Sequence, residues 1–181
     1  MKKLIVFAAC AMLAAVTQAA AVGWNLAGAN SYAGDAYQLF VIGQKGATSI
    51  ATITALLDAG TDTSSYAFGS GSIAANGSAN ASTSAAGAPQ LDAGTYTAFY
   101  VVFDSATPTA GSANYAVVSG AANLTKTIGA STASITFSAG NQSSVLNNTA
   151  NWKSFGPVPE PTSGLLLLVG AGMLALRRKQ K

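Results

Sequence analysis

The chain has 181 residues, half of them hydrophobic, with nine Lys or Arg, six Asp or Glu and no histidine. Its one cysteine, Cys10, lies in the first apolar stretch, so the rest of the chain has neither imidazole nor thiolate. Ser-His-Asp triads, cysteine proteases and His- or Cys-ligated metal sites are excluded for want of parts.

Residues 1–20 read as a secretory signal peptide. Lys2 and Lys3 precede an apolar run over 4–16, and Thr17-Gln18-Ala19 and Ala19-Ala20-Ala21 offer small residues for cleavage. The run falls short of the ~20 residues a spanning helix needs, so it is expected to be removed after directing the chain into the Sec translocon. Cys10 sits too early in the run for a lipoprotein box and is expected to leave with it, and with it any chance of a disulfide.

The exported domain is expected over 21–155, a length that suits one core. It reads as mainly β. Residues 37–42 (YQLFVI) and 95–103 (TYTAFYVVF) are rich in aromatic and β-branched side chains. The unbroken apolar run 98–103 predicts a central strand covered on both faces. Between these strands, 48–60 (TSIATITALLDAG) places Ile50, Ile53, Leu56 and Leu57 at helical spacing. Thr48 or Ser49 is available as the N-cap and Gly60 as the stop; a strand built from its β-branched residues is the competing reading. The Gly/Ser/Ala-rich stretch 69–90 reads as an exposed excursion, or as hiding a short strand near Ile73.

Residues 114–118 and 123–128 read as strands with turns at Gly120 and Gly129. In 132–138 (TASITFS) the alternation puts Ala133, Ile135 and Phe137 on one face and hydroxyls on the other. The architecture these elements imply is a single β-sandwich or jelly-roll-like domain with one short helix, flanked by the signal peptide and a C-terminal transmembrane helix.

Between residues 20 and 161, three lysines (Lys45, Lys126, Lys153) meet all six acids, a net charge of −3. That weakly acidic body lacks a footprint for nucleic acid. No nucleophile elbow, P-loop or dinucleotide fingerprint is present. Asp58 and Asp62 read as helix-end and loop residues, and Asp35, Asp92 and Asp104 as turn residues. The domain is therefore expected to have no catalytic residues, no metal and no cofactor. Asp58, Thr61 and Asp62 offer oxygens to calcium but lack EF-hand spacing. Trp24 and Trp152, with the six tyrosines beside them, are candidate glycan contacts, with core packing as the favoured competing use. Asn76, Asn80, Asn123, Asn141 and Asn147 each begin an Asn-x-Ser/Thr triplet.

The last segment, 156–181, has three parts. Val158-Pro159-Glu160-Pro161 comes first, with Gly156 and Pro157 read as a hinge to the body. Residues 165–176 then carry no polar side chain, and Arg177, Arg178 and Lys179 follow at once. Even counted from Thr162, the apolar helix reaches only about 22 Å, short of a ~30 Å hydrocarbon core. The basic cluster is expected to stay cytoplasmic and the body outside. The prolines keep the motif out of helix and sheet, and Glu160 sets one charge at the membrane surface.

This tripartite segment resembles the PEP-CTERM sorting signal. The resemblance implies processing by an exosortase, a membrane-embedded protease or transpeptidase of Gram-negative bacteria that make extracellular polysaccharide or biofilm. It implies transient anchoring in the inner membrane by the C-terminal helix, then delivery to the cell envelope, outer surface or extracellular matrix. The body is expected to serve as a non-catalytic structural protein there; a carbohydrate-binding or adhesion module is the alternative.

Overall fold

A computed structural model describes residues 19–82 and 90–157. Residues 1–18 of the expected signal peptide (1–20), the sorting motif Val158 to Pro161, the apolar run and Arg177, Arg178 and Lys179 lie outside the described residues. Among the described residues, no helix is long and apolar enough to cross a membrane.

The axis of the fold is strand β5 (Gly94–Phe103). Its residues 98–103 are all buried. Alternation divides them between two cores: Ala98, Tyr100 and Val102 enter one, Phe99, Val101 and Phe103 the other. The predicted central strand is thus observed. Around it lie β2 (Ala36–Val41), β3 (Gly69–Ser72), β6 (Asn114–Val118) and β9 (Trp152–Ser154), in the order β3-β2-β5-β6-β9. A further strand, β7 (Thr125–Ile128), pairs with the first residues of β5. All of these pairs are antiparallel.

A second sheet packs on one face of the first, with β1 (Ala21–Ala27) between β4 (Ala79–Ser82) and β8 (Ser134–Asn141). Val22, Trp24, Leu26, Ala79, Phe137 and Ala139 meet Leu39, Val41, Tyr100, Val102, Ala116 and Val118 there. The two-sheet layering matches the sandwich expected. The jelly-roll order does not, because β1 runs parallel to β8; with β2 to β7 between them in sequence, the two strands meet through a long crossover rather than a hairpin.

The pairing of β1 with β8 slips between Asn25↔Ser138 and Leu26↔Gly140, leaving Ala139 as the extra residue of a bulge. Tyr100 closes this point from the opposite sheet. Its hydroxyl lies 2.9 Å from the Asn25 carbonyl and 3.1 Å from that of Phe137, one donor shared by two acceptors.

The outer face of the larger sheet is covered by α1 (Ile50–Asp58), the helix predicted within 48–60. Of the two predicted caps it is Ser49 that acts, its Oγ accepting from the Thr52 N–H at 3.1 Å. Ile53 and Leu57 are buried against Phe40, Phe99, Val101, Phe103, Tyr115 and Phe155. Phe40 stacks on Phe99 at 5.1 Å.

Three strands, β1, β4 and β9, were not legible: β1 begins where the expected signal peptide ends, β4 falls in the low-complexity stretch, and β9 has only three residues. β3 adjoins Ile73, where a short strand was one of the two readings. In β3 the glycines are the reason for the strand: a Cβ on Gly69 would stand 2.4 Å from the Trp24 ring, and one on Gly71 3.1 Å from the Tyr37 hydroxyl. Two large aromatics lie against this backbone, and only glycine leaves them room. β8 starts later than predicted and runs further, so Ala133 is exposed, Ile135 half-buried and Phe137 buried.

Burial pushes the phenols of Tyr100 and Tyr115 well above their ordinary value of 10.0; for Tyr115, the hydrogen bond to Asp58 and its charge add to the effect. Above pH ~10 the unfolded chain loses these protons while the folded chain keeps them, so stability falls as pH rises. We expect the urea midpoint at pH 11 to lie well below that at pH 8; equal midpoints would mean that neither phenol is buried.

Candidate functional site

Two places in the fold bear on function: where the chain leaves the body, and a cleft lined by aromatic and acidic side chains.

The exit is built by the short edge strand β9, paired with β6 from Ala116↔Trp152 to Asn114↔Ser154. The next residue, Phe155, is buried and meets Phe103 edge-on at 5.7 Å. Its N–H donates to the Ala113 carbonyl at 2.9 Å, and its own carbonyl accepts from the Gly111 N–H at 2.7 Å. The Gly156 N–H then donates to the Leu57 carbonyl at the end of α1, at 2.8 Å. Gly156 has φ +81, and a Cβ there would lie 2.9 Å from the Gly60 Cα and 3.0 Å from the Ala110 Cβ. The expected hinge at Gly156 is therefore corrected. This residue is buried and clamped, and its glycine meets a positive φ and a close backbone approach rather than a need for flexibility.

The cleft has a volume of about 360 Å³ and is lined by Tyr32, Asp104, Asn114, Thr149 and Trp152. Tyr32 and Trp152 stack at 4.6 Å with an interplanar angle of 29°. Both donate to one carbonyl, that of Leu146 at the end of the short helical turn α2 (Ser143–Leu146): the Tyr32 hydroxyl at 2.9 Å and the Trp152 Nε1–H at 2.7 Å. Asp104 is held by a single partner, accepting from the Asn114 N–H at 2.6 Å and from the Asn114 Nδ2 at 2.7 Å. The region is electronegative. Burial raises the Tyr32 phenol and the Asp35 carboxyl, and the charge of Asp104 raises both further. A half-buried aromatic pair beside the bonded Asp104–Asn114 pair suits a polyhydroxylated ligand.

The candidate glycan contacts separate. Trp152 stands half-buried at this cleft, but Trp24 is only 6% exposed and packs in the inter-sheet core. Its Nε1–H donates to the Tyr37 hydroxyl at 3.1 Å, so Trp24 is corrected to a core residue. Tyr32, one of the six candidate tyrosines, joins Trp152 here; Asp104, read as a turn residue, and Asn114, read as a strand residue, were not expected beside them, because the two segments lie far apart along the chain and give no local signal.

Asp58 and Asp62 are engaged elsewhere. Asp58 accepts from the Tyr115 hydroxyl at 2.5 Å, and Asp62 from the N–H and hydroxyl of Ser64. Among the described residues there is no group of three or more His, Cys, Asp or Glu placed to hold a metal ion. The triplets at Asn76 and Asn141 form local turns in which the Asn oxygen accepts from the N–H two residues on.

Residues 157–180 match the family model of the PEP-CTERM protein-sorting motif. No curated protein and no solved structure matches the chain. The match begins at the residue after the clamped Gly156, so the sorting segment and the folded body adjoin. Residues 157–180 are thus a PEP-CTERM sorting motif, which indicates a protein exported to the cell envelope or surface and processed by an exosortase.

Proposed function

We propose that this chain is a structural protein of the envelope or extracellular matrix, associated with exopolysaccharide or biofilm and without catalytic activity. The C-terminal apolar helix anchors it in the inner membrane until exosortase removes the tail. Val158, Pro159, Glu160 and Pro161 are read by the enzyme, and Arg177, Arg178 and Lys179 hold the cytoplasmic end. The observation that carries this reading is the sorting motif at 157–180, joined to a body without histidine or cysteine. The test is mass spectrometry of the C-terminal peptide from cells with and without the exosortase. A product lacking 177–181 in the first and the full-length chain in the second is expected; an intact C-terminus in both would reduce the segment to a plain tail anchor.

The cleft supports a second reading, in which the body binds a glycan of the matrix. Trp152 and Tyr32 would face a sugar ring, and the Asp104–Asn114 pair would accept and donate to its hydroxyls. Removing one aromatic face costs ~0.5–1.5 kcal/mol beyond its area, so Trp152→Ala should weaken retention on the purified exopolysaccharide by about threefold to tenfold. Asp104→Asn should weaken it as well. Retention unchanged in both variants would leave Tyr32 and Trp152 as a clip on Leu146 and nothing more.

A further inference from the structure

We propose that exosortase meets this chain with the body folded and seated against it, through the end face that surrounds Gly156. The inference rests on the exosortase reading above and adds a contact surface to it.

Gly156 is fixed by its bond to Leu57 and by its approach to Gly60 and Ala110. Glu160 is four positions further along the chain, and four steps span at most about 14 Å in any conformation. An enzyme that grips the Pro-Glu-Pro tripeptide therefore brings its own surface to within that distance of the body.

The body has no slack to give. Freeing more chain would require β9 to leave the sheet. That would break the bonds of Phe155 to Ala113 and Gly111 and of Gly156 to Leu57, and draw the Phe155 ring away from Phe103. It would also release Trp152 from Tyr32 and from the Leu146 carbonyl.

Around Gly156 lie Gly60 and Ala110, with Thr61 and Thr109 next to them in the chain. Thr61, Thr109 and Ala110 are exposed. Small uncharged side chains permit close approach of another protein surface. The segments 58–62, 107–112 and 155–157 contain no Lys or Arg, so the face has no attraction for anionic lipid headgroups. Its carboxylates, Asp58 and Asp62, are each bonded within the body. The partner this face fits is the extracytoplasmic surface of the enzyme itself.

The experiment measures tail removal in cells, by pulse-chase, for Thr61→Arg and Thr109→Arg, with Ala130→Arg beyond β7 as the control. Folding is checked by the urea midpoint. A misplaced contact near the scissile segment should slow processing by about tenfold or more for the first two variants and leave the control at the wild-type rate. A flexible Gly-Ser spacer of about ten residues after Pro157 should then restore the wild-type rate, because the face no longer has to touch. As a second measurement, a photo-crosslinker on Thr109→Cys should give an adduct with the exosortase, and one on Ala130→Cys should not.

Wild-type rates for both folded arginine variants would overturn the proposal, as would slow processing that the spacer does not relieve, or an adduct from position 109 with lipid alone. If an arginine variant does not fold, the crosslink decides. A wild-type chain left uncleaved beside an active exosortase would overturn the processing reading itself, and this contact with it. Those outcomes are separable, because each of the others requires a cleaved wild type.

Discussion

Replacing Phe103 by alanine is expected to unfold the domain or to leave it with a urea midpoint far below that of the wild type. Phe103 ends the buried run of β5 and is 1% exposed. It sits in the core beneath α1, edge-on to Phe155 and paired across the ladder with Tyr115. Truncation of a buried Phe to Ala costs ~3–5 kcal/mol, from lost transfer energy and from the cavity left behind. A domain of this size has ~5–15 kcal/mol in total, so the variant loses a large share of it. The effect reaches the exit as well, since the ring that holds Phe155 in place is gone. An unchanged midpoint would mean that this core is misassigned.

Substituting Glu160 by alanine should abolish processing while leaving export intact. The substitution keeps both flanking prolines, the apolar run 165–176 and the basic cluster at 177–179, and removes the only charge between Lys153 and Arg177. The chain should still enter the membrane and stop there by the positive-inside rule. It should then accumulate full-length in the membrane fraction, while the wild type yields a product without its last residues. The comparison separates recognition from anchoring, because Arg177→Ala with Arg178→Ala would weaken the stop and not the motif. Normal trimming of the Glu160→Ala protein would show that the enzyme reads the prolines or the helix instead. Glu160 lies four residues from Gly156, too far along the chain for its loss to disturb the clamp, so the urea midpoint of the body should not move.

The central strand and the covering helix were legible because each carries its signal within a few consecutive residues. An apolar run of six with no alternation has to be covered on both faces, and residues 98–103 are. The 48–60 segment combines a helical stripe with a capping serine, and its local hydrogen bond forms as expected. The glycine-rich strand β3 was legible only as an alternative, a short strand near Ile73. Glycine and serine disfavour strands by themselves, and the pairing with β2 and the aromatic surface of Trp24 and Tyr37 that favour a strand at 69–72 come from elsewhere in the chain. The same separation hid the meeting of Tyr32 with Asp104 and Asn114.

The sequence by itself determined where this protein is sent. A sorting signal is read by other proteins as a linear segment, so its residue types and spacing carry the information before any folding takes place. Tertiary structure alone decided which tryptophan is buried and which borders a cleft, since Trp24 and Trp152 differ in their neighbours and not in their kind. It also decided that Gly156 is a clamp and not a hinge. A glycine followed by proline reads as freedom, until Leu57, Gly60 and Ala110 close around it from segments some fifty to a hundred residues away in the chain, and such contacts have no period for a sequence to display.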